Sequence, residues 1–388
     1  MARVLIASDK FKGSMTAAEV GAAVAAGIRH VLPNADVSVV PVADGGDGTV
    51  AAAVAAGFVA IPVRATGPTG EPVETSYARR GEIAVVELAD VSGLVRLPGG
   101  EFAPMTATSR GTGEVIDAAI TAGCRRVVLG IGGSASTDGG AGLLRALGAR
   151  LLDAEGADIG DGGAALDRLD TIDLAALRER LAGVEITVAC DVDNPLTGPH
   201  GAAAVYGPQK GADGAQVAAL DAALTHWADV IAEATGNDLR DRAGAGAAGG
   251  VGFAAVAVLG ATLRPGIELV LELVDFGAQL AGADLVVTGE GMLDEQTLYG
   301  KAPAGVAAAA GEADVPVVAV CGRNTLTAKR LRTAGFTAVY SLTEIEPDVR
   351  RCFTDGAVLL RRLGARLAAE HLPPEFAAAP SELDSQPG

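Results

Sequence analysis

The stretch Gly130-Ile-Gly-Gly-Ser-Ala-Ser-Thr-Asp-Gly-Gly-Ala-Gly142 decides how this sequence of 388 residues is interpreted. A short apolar run ending at Leu129 precedes it, which is typical of a buried strand, and Leu143–Leu147 follows with helical spacing. We predict a glycine-rich turn between a strand and a helix N-terminus, where backbone N–H groups and the helix dipole attract anions. This turn alone leaves two interpretations open, a phosphate cradle and a tight loop without a ligand.

The composition is that of an acidic globular protein. The formal net charge is −18 and 49% of the residues are hydrophobic, which is ample material for a core. Nucleic acids and anionic membrane surfaces bind basic faces, so the charge argues against both as partners. An anionic small-molecule substrate therefore needs local lysine or arginine side chains, and the sequence leaves open a monomer or a homodimer.

The cysteines and the N-terminus favour a cytoplasmic protein. The four cysteines, Cys124, Cys190, Cys321 and Cys352, lie far apart and form no C-x-x-C pair, so neither a zinc site nor a disulfide framework is predicted. The first residues resemble a strand and are too short for a signal peptide. We therefore expect reduced thiols and a cytoplasmic location.

Lysine is rare in this sequence and unevenly placed. Only five of the 30 basic residues are lysines, and four of them lie in polar segments that contain glycine. Lysine is a usual point-charge partner of phosphate, so these four are candidate anion ligands. Chance placement on solvated loops is the alternative. The four are Lys10, Lys12, Lys210 and Lys301.

Carboxylates follow two further predicted strands. Asp44 and Asp47 lie three residues apart in a glycine-rich loop after the strand Val37–Val42. Two interpretations of these aspartates remain open. They cap the next helix, or they form a Mg²⁺ site or the base for a substrate hydroxyl. The strand Val184–Ala189 leads into Cys190-Asp-Val-Asp-Asn194, which again favours oxygen ligation.

The alternation of elements predicts an α/β fold with two domains. Strands and helices alternate up to residue 65 and again from residue 284, whereas the block between them has a different order. We predict a discontinuous Rossmann-like domain, residues 1–65 and 284–372, and an α/β domain, residues 66–283, inserted into it. A cleft between them would collect the strand-end loops, and residues 373–388 would form a disordered tail.

The polar loops together suit phosphoryl transfer. They supply carboxylates, lysines, hydroxyls and backbone donors, and they offer no plausible His or Cys nucleophile. Phosphoryl transfer needs positioning, Mg²⁺ and charge neutralisation more than covalent catalysis. No Walker A motif and no protein-kinase signature is present, so the residues alone predict a metal-dependent α/β enzyme that handles phosphate.

Seven motifs stand in order along the chain. They are Asp9-Lys-Phe-Lys-Gly-Ser14, Pro41-Val-Ala-Asp-Gly-Gly-Asp-Gly-Thr49, Gly130 to Gly140, Cys190-Asp-Val-Asp-Asn-Pro-Leu196, Tyr206-Gly-Pro-Gln-Lys-Gly-Ala212, Gly244-Ala-Gly-Ala-Ala-Gly-Gly250 and Thr288-Gly-Glu-Gly291 with Gly300-Lys301. Together they resemble the motifs of the type I bacterial glycerate kinases. This resemblance implies two α/β domains, one of them Rossmann-like, and ATP-dependent phosphorylation of D-glycerate at the 2-hydroxyl to give 2-phosphoglycerate.

With ATP and Mg²⁺ as cofactors, residue type and strand-end position predict a role for each side chain. A carboxylate, Asp44 or Asp191, accepts the proton of the substrate hydroxyl, and three others hold Mg²⁺. The predicted catalytic residues are Lys12, Asp44, Asp191 and Lys301; those binding nucleotide or phosphate are Gly132, Gly133, Ser134, Ser136 and Lys210; the metal ligands are Asp47, Asp193 and Glu290; and those binding substrate are Lys10, Ser14 and Asn194.

Two other kinds of protein remain open at this point. Gly130, Gly132 and Ala135 fit the G-x-G-x-x-[GA] pattern of an NAD(P)-dependent oxidoreductase of a small hydroxy acid. A non-catalytic acid-binding protein with two lobes is the second. The run Gly244–Gly252 also matches G-x-G-x-x-G, but no predicted strand precedes it, so we interpret it mainly as a close-packed helix entry.

Overall fold

The strands come from a computed structural model, which describes residues 1–372; the predicted tail 373–388 lies outside the described residues. Thirteen strands occur in the described part of the chain. They are β1 (Arg3–Ser8), β2 (Asp36–Val39), β3 (Val59–Thr66), β4 (Pro72–Arg80), β5 (Ile83–Glu87), β6 (Arg126–Gly130), β7 (Arg150–Leu152), β8 (Thr171–Asp173), β9 (Glu185–Ala189), β10 (Thr262–Arg264), β11 (Leu285–Leu293), β12 (Val317–Asn324) and β13 (Phe336–Ser341).

Helices alternate with these strands and confirm the α/β class. They are α1 (Ala17–Val31), α2 (Thr49–Ala55), α3 (Ala89–Ser92), α4 (Arg110–Thr121), α5 (Ala141–Ala146), α6 (Ala175–Arg180), α7 (Ala202–Tyr206), α8 (Gly214–Thr235), α9 (Val251–Ala257), α10 (Gly266–Leu273), α11 (Phe276–Leu280), α12 (Ala302–Glu312), α13 (Ala328–Thr333), α14 (Leu342–Ile345), α15 (Val349–Thr354) and α16 (Gly356–His371). Within residues 1–372, no helix has both the length and the apolar character that crossing a bilayer requires.

The chain divides into two compact units. Of the described residues, the first unit contains Met1–Asp44 and residues 270–372, and the second contains Gly45–Leu269. Both boundaries fall earlier than the predicted ones at residues 65/66 and 283/284. The first boundary moves because β3 pairs with β4 along its whole length, and α2 packs on β5, so both elements belong to the second unit.

The first unit is built on a five-stranded parallel sheet in the order β13-β12-β11-β1-β2. The central strands β1, β11 and β12 are almost continuously buried, as expected for a parallel sheet with helices on both faces. Numbered along this unit, the order is 2-1-3-4-5, a doubly wound arrangement. Its topological switch point lies between β1 and β11, where such sheets bind ligands at the carboxyl ends of the strands.

The helices α1 and α16 pack backbone to backbone in the first unit. A Cβ on Gly27 would lie 2.1 Å from the carbonyl oxygen of Arg361, and one on Gly364 would lie 2.4 Å from that of Val24. The start of α1 carries a capping box, in which the Glu19 N–H donates to Thr16 Oγ1 and the Thr16 N–H donates to the Glu19 carboxylate. Glycine thus sets the spacing of this helix pair.

The second unit is built on a six-stranded sheet in the order β10-β9-β6-β5-β4-β3. The strands β5, β6, β9 and β10 are parallel, and β4 and β3 extend the sheet as antiparallel strands. A separate antiparallel pair joins β7 to β8. Trp227 in α8 is fully buried and its Nε1–H donates to the carbonyl of Gly139 at 3.0 Å.

The two glycine-rich runs of the second unit interlock. The Gly139 N–H donates to the Gly249 carbonyl at 2.9 Å. A Cβ on Gly249, where φ is +70°, would lie 2.1 Å from the carbonyl oxygen of Ser136. The second run is therefore a close-packed support for the first, as the absence of a preceding strand indicated.

We expect opposite effects from two glycine-to-alanine changes in helices. Gly27→Ala should lower the free energy of unfolding by about 1–3 kcal/mol or more, because the methyl group has no room between α1 and α16. Gly311→Ala should raise it by up to about 1 kcal/mol, since Gly311 is exposed with nothing within 4 Å of its Cβ position. Urea unfolding of both variants measures this, and a stabilised Gly27→Ala would contradict the packing described.

Candidate functional site

The first unit places two carboxylates at its topological switch point. Asp9 follows β1, and Glu290 lies on the adjacent strand β11, whose Gly289 is in register with Ser8. The Asp9 N–H donates to the Gly289 carbonyl at 2.9 Å, and Ser8 Oγ donates to the same oxygen at 3.0 Å. Gly289 has no space for a side chain, since a Cβ there would lie 2.3 Å from the carbonyl oxygen of Val320. These backbone contacts fix the position of the Asp9 main chain beside β11.

Asp9 is a functional candidate that the sequence analysis did not select. Burial raises the pKa of its carboxyl to about 7; the Lys10 ammonium opposes this shift, while the carboxylates of Asp44 and Glu290 add to it. The Lys10 N–H donates to Asp9 Oδ1 at 2.6 Å. Its position directly after a strand could have identified it from the sequence, because the predicted site residues Asp44 and Asp191 also follow strands.

Glu290 and Lys301, both predicted site residues, are brought together in the first unit. One oxygen of Glu290 lies 3.6 Å from Lys301 Nζ, and the other accepts a hydrogen bond from Thr297 Oγ1 at 2.5 Å. Burial raises the pKa of the Glu290 carboxyl, and the bond from Thr297 and the charge of Lys301 oppose the shift. Asp294 caps the short 3-10 helix that carries Thr297, so this contact is held by local structure.

The loop after β1 presents Lys12 to solvent. A Cβ on Gly291 would lie 3.5 Å from the Lys12 backbone nitrogen, which places the loop beside β11. Lys12 itself is exposed. Ser14 Oγ donates to the carbonyl of Phe353 at 3.1 Å, so the hydroxyl proton of this predicted substrate ligand is used within the protein.

The glycines of the second unit serve chain packing more than anion contact. A Cβ on Gly45 would lie 2.5 Å from Ala189 Cβ at the end of β9, and one on Gly130 would lie 2.4 Å from the Gly45 carbonyl oxygen. One on Gly132 would lie 2.8 Å from the Cα of Gly46. The loop that begins at Gly45 therefore lies across the carboxyl ends of β9 and β6, and glycine is required because two backbones touch.

Glu87, another residue that the sequence analysis missed, closes the start of α2. Its carboxylate accepts hydrogen bonds from the N–H groups of Gly48 and Val50 at 3.1 Å. The N-cap residue of α2 is Gly48, so neither Asp44 nor Asp47 occupies the N-cap position of this helix. Burial raises the pKa of Glu87 to about 7, Asp90 and Asp47 add to the shift, and the two N–H groups oppose it. Asp47 itself is exposed.

The start of α5 is already capped by the protein. Asp138 accepts from the N–H groups of Gly140 and Gly142, each at 3.2 Å, and Ser109 Oγ accepts from the Leu143 N–H at 3.0 Å. The Ser109 N–H and hydroxyl both donate to Asp138 at 2.8 Å. The expectation that these helical N–H groups await an anion is therefore wrong. The exposed part of the loop is its tip, at Gly133.

Lys210 is buried beneath that tip and is not a solvated loop lysine. Its side chain is 2% exposed, and Nζ donates to Ser134 Oγ at 2.8 Å and to the Ser136 carbonyl at 2.5 Å. Burial lowers the pKa of the ammonium to about 7, and the charge of Asp138 opposes the shift. Ser136 Oγ and Thr137 Oγ1, also buried, have no hydrogen-bond partner among the described residues.

The loop after β9 uses part of its polar set for its own structure. Asp191 Oδ1 accepts from the Gly266 N–H at the start of α10 at 2.8 Å. Asn194 Nδ2 donates to the His200 carbonyl at 2.9 Å, and Asn194 Oδ1 accepts from the Tyr206 hydroxyl at 2.7 Å. Asp191 and Asp193 are exposed, whereas both ends of the Asn194 amide are engaged in holding the loop.

The carboxylates could hold Mg²⁺ only together with phosphate oxygens of a substrate, which is the usual way that this ion is bound. In residues 1–372, no group of three or more His, Cys, Asp or Glu side chains is arranged to hold a metal. Mg²⁺ is commonly bound through one or two carboxylates together with substrate phosphates, so a complete protein cage is not required. Of the predicted ligands, Glu290 belongs to the first unit, and Asp47 and Asp193 belong to the second.

The fold and the polar residues at the strand ends define the class of protein. Both units place carboxylates, lysines and hydroxyls at the carboxyl ends of parallel strands, as in α/β enzymes that act on small ligands. The sequence profile of the glycerate kinase family matches residues 4–372, and the chain belongs to that family.

Individual relatives agree with this assignment. A glycerate kinase of Bacillus subtilis (strain 168) is 46% identical over 95% of this chain and 97% of its own. A glycerate 2-kinase of Escherichia coli (strain K12) is 45% identical over 88% of this chain and 90% of its own. A crystal structure from Salmonella typhimurium LT2, provisionally named glycerate kinase 2, has a TM-score of 0.83 and 44% identity and covers 95% of this chain and 98% of that one. These comparisons favour a kinase over the oxidoreductase and the non-catalytic binding protein.

We expect Asp138→Asn to destabilise the protein strongly. The amide keeps one acceptor and places its own N–H groups against donors, which should lower the free energy of unfolding by about 3 kcal/mol or more. The control Asp167→Asn, at an exposed position, should change it by less than about 0.5 kcal/mol. Denaturant titration measures both, and equal effects would show that Asp138 does not hold the loop.

Glu87 should give the stability a defined pH dependence. Its pKa is raised in the folded state to about 7, so its contribution is fully present below the ordinary value of 4.5 and is lost as the pH rises through 7. Glu87→Gln should reduce the fall in unfolding free energy between pH 5 and pH 7.5. The exposed control Glu82→Gln should leave the slope unchanged, and identical slopes in all three proteins would contradict the assignment.

Proposed function

We propose that the protein transfers the γ-phosphoryl group of ATP to the 2-hydroxyl of D-glycerate, with Mg²⁺, to give 2-phosphoglycerate and ADP. The observation that carries this proposal is membership of the glycerate kinase family over residues 4–372. The position of phosphorylation is taken from the relative named glycerate 2-kinase, which shares 45% identity.

The carboxylates of the first unit suit the proton transfer. The oxygen of the 2-hydroxyl forms a bond to the γ-phosphorus, the bond from phosphorus to the β–γ bridging oxygen breaks, and the hydroxyl proton moves to a carboxylate. A general base works best when its pKa lies near the working pH, and the pKa of Asp9 is about 7. We therefore add Asp9 to Asp44 and Asp191 as candidates for the base.

Lysine side chains neutralise the anionic substrates in this proposal. Lys301 lies beside Glu290, and Lys12 is exposed on the loop after β1, where an ammonium can meet a phosphate or a carboxylate. Lys10 and Ser14 remain proposed substrate ligands on the same loop. Lys210 is too deeply buried for direct contact with a phosphate, so we withdraw it from the ligands.

The second unit contributes the glycine-rich tip and its carboxylates. Gly132, Gly133 and Ser134 are proposed to meet a phosphate, because the helical N–H groups further along are occupied. Ser136, which was predicted with them, is fully buried, so we withdraw it from the phosphate ligands. Mg²⁺, held by Glu290, Asp47 or Asp193 together with phosphate oxygens, would neutralise the charge that develops on the transferred group. A cytoplasmic location and a monomer or homodimer stay predictions.

A coupled assay for ADP release tests the activity, and phosphorus NMR of the product tests the position. We expect ADP release with D-glycerate that stops when Mg²⁺ is chelated, and a product carrying its phosphate on the second carbon. Release of ADP without phosphorylated glycerate, or phosphate on the third carbon, would refute the corresponding part of the proposal.

Two lysine variants test the charge role. Lys301→Met should lower kcat/KM by about 100-fold or more, as expected for the loss of one electrostatic contact to the reacting groups. Lys329→Met, at an exposed position of α13, should stay within about twofold of the unaltered protein. Equal activity of the two variants would remove Lys301 from the site.

A further inference from the structure

The glycine-rich tip of the second unit is fixed from below by a single cation. The ammonium of Lys210 donates to Ser134 Oγ at 2.8 Å and to the Ser136 carbonyl at 2.5 Å, and so grips the chain on both sides of Ala135. The Ala135 N–H donates to the Ser92 carbonyl, and the Leu94 N–H donates to the Gly133 carbonyl, both at 3.0 Å. The segment is thereby held in one conformation before any ligand arrives.

Holding a loop with a buried ammonium has a high cost in free energy. Burying a charge costs several kcal/mol unless hydrogen bonds and an opposite charge offset the loss of water. Among the described residues, the recorded partners of Lys210 Nζ are a neutral hydroxyl and a carbonyl, and Asp138 is the charged group that faces it. An apolar side chain would fill the same space at lower cost, so the charge itself has a use.

The direction of the hydrogen bond at Ser134 indicates that use. A serine hydroxyl has one proton to donate and two lone pairs, and Ser134 spends a lone pair on Lys210. Its proton is therefore left to donate elsewhere, because among the described residues Lys210 is the one hydrogen-bond partner of this hydroxyl. A hydroxyl polarised by an ammonium is a stronger donor to an anion. Ser134 adjoins the exposed Gly133 at the tip.

We propose that Lys210 is a positioning residue, which orients and polarises the hydroxyl of Ser134 for donation to a phosphate group bound at the Gly132–Gly133 tip, and does not touch the phosphate itself. The orphaned hydroxyls of Ser136 and Thr137 lie in the same segment. An unpaired buried hydroxyl is unfavourable and calls for an explanation, and a functional role is one such explanation. The inference rests on the proposed function, since it takes the phosphate to be that of the nucleotide or of the phosphorylated acid.

A double-mutant cycle tests whether the two residues act as a unit. Lys210→Met, Ser134→Ala and the double variant are compared with the unaltered protein by calorimetric titration with ADP and, separately, with 2-phosphoglycerate. We expect each single change to weaken binding of one of these two ligands by about 10-fold, and the double change to weaken it no further than Lys210→Met alone. The ligand that responds identifies the source of the phosphate.

The conservative change and the pH dependence separate positioning from mere packing. Ser134→Thr, which keeps the hydroxyl, should retain most of the affinity lost in Ser134→Ala. Binding to the unaltered protein should weaken above pH 7 as Lys210 loses its proton, and this dependence should be absent in Lys210→Met. Lys329→Met serves as the control for loss of a lysine. If Lys210→Met does not fold, Lys210→Gln, which keeps an N–H donor, takes its place in the cycle.

Three results would overturn the inference. These are multiplicative losses in the double variant, an unchanged affinity for both ligands in Ser134→Ala, and loss of affinity in Lys210→Met with the pH dependence intact. Because the titrations do not require turnover, they decide the matter even for a protein that releases no ADP with D-glycerate. A failure to release ADP with D-glycerate would refute the proposed function and leave this inference standing.

Discussion

A buried pair of opposite charges, the Asp138 carboxylate and the Lys210 ammonium, holds the glycine-rich segment on which the second unit depends. Asp138 gathers donors from Ser109, Gly140 and Gly142, which joins the starts of α4 and α5. Lys210 gathers acceptors from the same segment. Neither charge could stay buried without these partners, because an unpaired ion in the interior loses its hydration without compensation. The conformation of the segment and the burial of the two charges therefore require each other.

Glycine in this protein allows backbones to approach one another. The chain at Gly45 and Gly46 lies against Gly130 and Gly132, and the second glycine-rich run lies against the first. Any side chain at these positions would separate loops that share hydrogen bonds, such as the one from the Gly139 N–H. This packing explains why so many glycines follow the strands of the sheet and why only the tip of the loop is open to a ligand. Glycine richness in these loops is therefore explained by chain packing and does not by itself indicate anion binding.

The two units arrive at similar chemistry by different topologies. The first has a switch point between β1 and β11, where Asp9 follows β1 and Glu290 lies on β11. The second has its strands in sequential order, and its carboxyl edge is covered by the loop that begins at Gly45. In both, burial is the main reason that a carboxyl group has a raised pKa, as for Asp9 and Glu87. Glu87 closes a helix, so a raised pKa alone does not identify a catalytic group.

The sequence by itself determined the α/β class and the family, because the first follows from the local alternation of strands and helices and the second from motifs whose order is preserved. It also placed Glu290 and Lys301 in one motif. Tertiary structure alone decided that Lys210 is buried, that Glu87 rather than an aspartate closes α2, that Asp138 and Ser109 occupy the N–H groups of α5, and that β3 belongs to the second unit. These facts depend on which distant residues meet, and a local pattern of residue types contains no information about the partner that will satisfy a charge or a hydrogen bond.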